Sequence, residues 1–304
     1  MRAPHSELPA ITADIIERIR ARRPRVHCIT NAVAQNFTAN MLLAAGAVPS
    51  MTIAQKEVRA FVARADAVLV NLGTFDPERQ KASLAAISVA NRQGIPWVLD
   101  PVFVDRSKPR AAFAKALLAK KPRAMRLNAA EFAALAGKGE DGIDDAALVR
   151  FAKARRTVIG LTGAQDFIRD GERLATIANG DPLMARVTAM GCVASALVGA
   201  ALAVEPDAWK AMAAALIAVG VAGEVAAARS RGPGSFAMEI LDAVYALDLA
   251  LDVRQRFSPE AEDVGLASAD LEGGVGLSAD RDRDQMIELV VGQALAWTLF
   301  GHQP

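Results

Sequence analysis

Five short and largely apolar runs, at residues 26–29, 67–72, 96–100, 124–127 and 157–161, recur between segments of helix length. This rhythm constrains the chain more than any other feature. Short strands separated by helices build βαβ units and a mostly parallel sheet. Runs that are apolar at nearly every position suit strands covered on both faces. The segments between them predict helices at 35–45, 77–92, 110–119, 129–136 and 144–154. The expected class is α/β, with a mostly parallel sheet flanked by helices.

The rhythm changes at residues 166–178, DFIRDGERLATIA, where Asp170-Gly171 between two apolar runs predicts a hairpin. Helical patterns follow at 191–204, 206–229 and 236–250. Sheet, hairpin and late helices form one expected domain over residues 1–250. Residues 251–304 read as a C-terminal linker, rich in Gly, Asp and Ser over 257–284, followed by a short amphipathic helix at 285–300.

Composition removes several function classes. The 35 basic and 34 acidic residues nearly cancel, whereas nucleic-acid binders carry a basic excess. Aromatic residues are 5% of the chain, too few for base-stacking platforms. The two cysteines, Cys28 and Cys192, form neither a disulfide framework nor a zinc site. The N-terminus is basic but carries Asp14 and Glu17 and lacks an apolar core, so no signal peptide is expected. A reducing, cytoplasmic setting is the expectation. Residues 187–204 run without a charge for 18 positions, the length at which a membrane span becomes possible. Their Ala and Gly content suits closely packed core helices instead.

Ligands of open parallel sheets bind beyond the carboxyl ends of the strands. Five predicted strand ends deliver Thr30-Asn31, Asn71-Leu72-Gly73-Thr74, Asp100-Pro101, Asn128 with Glu131 behind it, and Thr162-Gly163. Any one of these is most often a turn or a helix cap. Five on one edge indicate a site. Thr188-Ala189-Met190-Gly191-Cys192 leads into an apolar helix whose first amides would form an anion hole, with Gly191 permitting close approach. Cys192 falls in the first turn, where a thiol pKa tends to fall, although a buried and inert cysteine is the commoner case. Asp100 and Glu131 suit indirect Mg²⁺ binding beside substrate phosphates, with helix capping as the alternative. His27, in mid-strand, reads as a core histidine. The chain holds no GxxxxGK[ST] loop and no cluster of His or Cys ligands.

These residues carry a resemblance to the hydroxyethylthiazole kinases over about residues 15–247. The most specific segment is VHCITNAVAQNFTANMLLAAGAVPSM, from Val26 to Met51. NLGT (71–74), LDPV (99–102), RLNAAE (126–131), LTG (161–163), Asn179-Gly180 with Pro182-Leu183, and GPGSF (232–236) follow in order. The resemblance implies a ribokinase-like three-layer fold without a lid, in a homotrimer with active sites between subunits. It implies ATP- and Mg²⁺-dependent phosphorylation of 4-methyl-5-(2-hydroxyethyl)thiazole in thiamine salvage. A ribokinase-like kinase for another small alcohol, such as hydroxymethylpyrimidine, and a catalytically weak thiazole- or nucleotide-binding homologue are the alternatives. Carried over by motif, Met51, Asn31, Gly73 and Ala189 line the alcohol pocket, and Arg126, Thr162 and Asn128 contact ATP. Asp100 and Glu131 organise Mg²⁺, and Cys192 with Gly191 takes the catalytic position. The chain departs from the family pattern in two places. Ala189-Met190 replaces Gly-Thr, and Phe103-Val104-Asp105-Arg106 stands in a loop that is usually Gly-rich.

Overall fold

The computed structural model describes residues 7–247, apart from 138 and 140–142. Eight strands lie in one sheet: β1 (Arg25–Ile29), β2 (Val48–Ser50), β3 (Ala67–Asn71), β4 (Trp97–Asp100), β5 (Ala124–Leu127), β6 (Val158–Leu161), β7 (Asp166–Arg169) and β8 (Leu174–Ile177). Their order is β2-β1-β3-β4-β5-β6-β7-β8. Strands β1 to β6 pair in parallel, and the hairpin β7–β8 adds two antiparallel strands at one edge.

Side chains of the strands β1, β3, β4, β5 and β6 divide between two separate cores. On one face Val26, Cys28, Leu69, Val98 and Ala124 pack under α1 (Leu8–Arg22), α2 (Gln35–Ala44), α8 (Met190–Val204), α9 (Ala208–Arg229) and α10 (Pro233–Ala246). On the other, Val68, Val70, Trp97, Leu99 and Met125 meet α3 (Val58–Val62), α4 (Pro77–Gln93), α5 (Lys108–Leu118), α6 (Ala129–Ala136) and α7 (Asp145–Arg155). Burial on both faces is why the strands read as continuous apolar runs rather than as alternation. The result is the expected helix–sheet–helix layering, with element ends within two residues of most predicted ones.

Of the chargeless stretch, α8 buries every residue except Gly191 and Ala203, packed against α1, α2, α9 and the strands β1, β3 and β4. Helix α9 is long and apolar enough to cross a membrane by length and composition, yet 78% of its most apolar window is buried inside the protein. Both are core helices whose small side chains permit close packing.

Three elements were absent from the sequence reading: α1, β2 and α3. Helix α1 buries Leu8, Thr12, Ile15, Ile16 and Ile19, a stripe of helical period behind a basic surface. Its Arg20 donates to the carbonyls of Val244, Tyr245 and Leu247 at the end of α10. The expected linker and helix in 251–304 lie outside the described residues.

Candidate active site

The chain leaves β1 in one direction towards β2 and returns to its other side as β3, so the carboxyl ends of β1 and β3 flank a switch point of the kind at which ligand crevices form. Thr74 Oγ1 donates to Asn31 Oδ1 at 3.1 Å and accepts from the Ala32 amide at 2.9 Å. Gly73 lies so close that a Cβ there would stand 2.6 Å from the Asn31 Cβ. Met51, half-buried, follows β2 on the next strand end. Asn31, Gly73 and Met51 thus follow three neighbouring strands, of which β2, before Met51, was not expected from the sequence.

Beside them is a polar cluster shut away from water. Asp100, at the end of β4, is fully buried. Its Oδ2 accepts from Asn71 Nδ2 at 2.7 Å and from Ser195 Oγ at 2.8 Å. Its Oδ1 has no hydrogen-bond partner. Burial pushes the carboxyl pKa upward, against the pull of Arg126 and of the two hydrogen bonds. Glu131 is raised as well, first by burial and then by the charge of Asp100.

The carboxylate of Glu131 caps its own helix. Glu131 Oε2 accepts from the Asn128 amide while Asn128 Oδ1 accepts from the Glu131 amide, a reciprocal capping box at the start of α6. Glu131 Oε1 accepts from the Phe103 amide at 3.0 Å and so ties the loop after β4 to α6. Asn128, expected at ATP, caps α6 with its side chain.

The first turn of α8 faces this cluster and, like the starts of α1, α2, α3 and α10, has no side-chain cap, whereas Asp76, Ser107, Asn128, Asp144 and Asp207 cap α4, α5, α6, α7 and α9. Its N-cap, Ala189, is left-handed with φ 74°. Phe103 has φ 60°. Both departures from the family pattern thus fall where the backbone takes the conformation that glycine tolerates best.

Cys192 lies in the first turn, as expected, but its thiol is pushed up to about 12 by burial and next by the charge of Asp100. Arg126 and the hydrogen bond from Asn71 oppose this only partly. The expected lowering by the helix start is therefore corrected, because desolvation outweighs a half-charge dipole at a site closed to water. Arg126 projects from β5 towards Gly191, and its buried Nε has no partner. Thr162 follows β6, its amide donating to the Leu127 carbonyl.

Asn71 was named at a strand end but given no role, and Ser195, Asp166 and Arg110 were not singled out at all. Asp166 accepts from the Gly163 amide beside Thr162 and is raised to about 6 by burial. Arg110 reaches from α5 to the carbonyls of Leu72, Gly73 and Val102, pinning the loops after β3 and β4. His27 is buried, as expected, with Nδ1 at 2.9 Å from Ser50 Oγ and its pKa lowered to about 4. A cavity of about 740 Å³ lined by Arg22, Asn91, Trp97, Lys121 and Arg123 holds none of these groups.

A model of the hydroxyethylthiazole kinase family matches residues 16–250. The chain belongs to that family. It is 47% identical over 250 residues to a hydroxyethylthiazole kinase of Granulibacter bethesdensis, covering 79% of this chain and 91% of the relative. The Klebsiella pneumoniae enzyme is 47% identical over 247 residues, with 78% and 96% covered. Among solved structures, the Pyrococcus horikoshii hydroxyethylthiazole kinase is similar with a TM-score of 0.74 and 37% identity, covering 78% of this chain and 93% of that one. A ribokinase-like superfamily protein of Enterococcus faecalis, 14% identical with a TM-score of 0.60, covers 76% and 93% and shares the fold alone. As a member of a kinase family, the chain is a phosphotransferase.

Proposed function

We propose that the chain transfers the γ-phosphoryl group of ATP to the primary hydroxyl of 4-methyl-5-(2-hydroxyethyl)thiazole, a step of thiamine salvage. The observation that carries this reading is a buried Asp100 with one unpartnered oxygen, beside the uncapped start of α8 and Arg126. That combination suits a phosphoryl group and its counter-ion rather than a neutral ligand.

Phosphoryl transfer passes through a loose transition state and is served mainly by positioning and charge neutralisation. Asn31, Gly73, Met51 and Ala189 line the alcohol's end of the crevice. Arg126 and Thr162 hold the nucleotide, and the buried Arg126 Nε is a donor available to phosphate. The amides of Gly191 and Cys192 face the transferring group, where an oriented donor is worth roughly 3 kcal/mol of barrier. Cys192 stays protonated and orients the acceptor rather than deprotonating it. Among the described residues no three His, Cys, Asp or Glu side chains form a metal cage. Asp100 Oδ1 with Glu131 behind it fits Mg²⁺, which takes few carboxylates and completes its shell with water and phosphate. Magnesium, when held there, would neutralise charge on the phosphates.

A homotrimer with shared sites is part of this reading. Val33, Leu43 and Val48 expose apolar side chains on the elements that flank Asn31 and Met51. Two free and buried cysteines suit a cytoplasmic setting. Purified protein is expected to consume ATP only when Mg²⁺ and the thiazole alcohol are both present. Far more efficient turnover of hydroxymethylpyrimidine would overturn the substrate, and binding of thiazole without turnover would leave a weak homologue.

A further inference from the structure

We infer that Asn71 and Ser195 are positioning residues that turn Asp100 so that Oδ1 alone is offered to the phosphate-bound cation. The inference rests on the kinase reading above and assigns two side chains of the site that motif matching left without a role.

Asn71 is 1% exposed at the last position of β3, directly opposite Asp100 in the parallel register. Its amide is divided three ways. Oδ1 accepts from the Gly73 amide at 2.9 Å, while Nδ2 donates to Asp100 Oδ2 at 2.7 Å and to Cys192 Sγ at 3.3 Å. Two of these contacts fix the amide's orientation, because the exchanged orientation would set its oxygen against the Asp100 carboxylate and its NH₂ against the Gly73 N–H. Ser195, fully buried one turn along α8 from Gly191, donates to the same Oδ2 from the other side. Both available donors thus converge on one oxygen of Asp100, and the other has none.

A buried carboxylate oxygen without a donor is costly, and native proteins rarely leave one. Two neutral residues could have satisfied one oxygen each. Loading both onto Oδ2 orients the carboxylate and reserves Oδ1 for a ligand that arrives with the substrate. The same Asn71 amide joins the Gly73 turn, against which Asn31 packs, to Cys192. It therefore couples the alcohol's side of the crevice to the cation's side.

The test compares Ser195→Ala, Ser195→Thr and Asn71→Ala with the full-length parent. Two readouts are used: Mn²⁺ binding with ATP but without acceptor, followed by electron paramagnetic resonance, and steady-state kinetics against Mg²⁺. Ser195→Ala and Asn71→Ala are each expected to weaken Mn²⁺ binding and to raise half-saturating Mg²⁺ about tenfold with a lower kcat; in Ser195→Ala the KM for thiazole changes less than twofold, whereas in Asn71→Ala, which also frees the Gly73 turn, it rises as well. Ser195→Thr, which keeps the hydroxyl, should restore most of the Mn²⁺ affinity. Asn71→Ala also removes support from a buried turn, and if it does not fold, the two Ser195 variants decide. Folded Ser195→Ala with parental Mn²⁺ binding and Mg²⁺ dependence would overturn the inference. If the parent turns over no thiazole alcohol yet Ser195→Ala still loses Mn²⁺, the substrate reading fails and the positioning role stands.

Discussion

The Arg126 guanidinium lies against the backbone of Gly191, so that a Cβ added there would come within 2.6 Å of Nη1. A strand-end cation and the first turn of α8 thus meet at one point, and only a residue without a side chain lets them do so. Nη1 is the end of a flexible chain, so Gly191→Ala should displace the guanidinium rather than unfold α8. The KM for ATP is expected to rise roughly tenfold, about 1.4 kcal/mol, with thermal stability little changed. Unchanged ATP dependence in that variant would remove Arg126 from the nucleotide site.

The protonated state of Cys192 has its own signature. With a pKa near 12, the thiol should react slowly with iodoacetamide at pH 8, and the rate of turnover should show no ionisation of this group between pH 6 and 9. Cys192→Ala should lower kcat by roughly 10- to 100-fold, or about 1.4–2.7 kcal/mol. Total loss of turnover in a folded variant that still binds ATP would make the thiol an essential base.

Strain at Ala189 can be relieved. A non-glycine residue in the left-handed region costs roughly 1–2 kcal/mol, and the chain-entropy cost of glycine returns about 0.5–1 kcal/mol of that. Ala189→Gly should therefore stabilise the fold by about 0.5–1 kcal/mol, seen as a rise in Tm of roughly 2 °C. Combined with Met190→Thr, it should raise turnover, because the turn then meets the phosphoryl group without a Cβ. An unchanged Tm would show that the surrounding packing already absorbs the strain.

Acid should act on the fold through His27. Unfolded histidine takes up a proton near 6.5, while the buried ring stays neutral down to about 4. Between these values the unfolded state binds more protons, so the contribution of His27 falls as pH drops, by up to about 3 kcal/mol. Asp100, Glu131 and Asp166, with raised pKa values, pull the other way. The readout is therefore the difference between parent and His27→Gln in denaturant unfolding at pH 7 and pH 4.5. The parent should lose more stability over that interval than the variant, and parallel losses would show that the ring is not held neutral.

Assembly gives a further test. Light scattering should report a trimer, and Leu43→Glu, on an apolar side chain 55% exposed in one subunit, should shift it towards monomer with loss of turnover. A stable parental monomer at micromolar concentration would remove the shared site.

Strand positions, the hairpin at Asp170-Gly171 and the two buried helices were legible because burial on both faces leaves continuous apolar runs, and those patterns are local. Helix α1 has a local signature as well, the buried stripe from Leu8 to Ile19. The strand ends from Thr30 to Gly163 could be placed on one edge from order alone, since parallel strands all point one way. What the sequence could not decide was partnership. That Asn71 and Ser195 both donate to Asp100 Oδ2, from residues 29 and 95 positions away, follows only from the register of β3 beside β4 and the seat of α8 above them. The state of Cys192 was likewise a tertiary outcome. Its place in a first turn argues for a lowered pKa, and only enclosure beside Asp100 reverses the sign, because desolvation depends on what surrounds the sulfur and not on its neighbours in the chain.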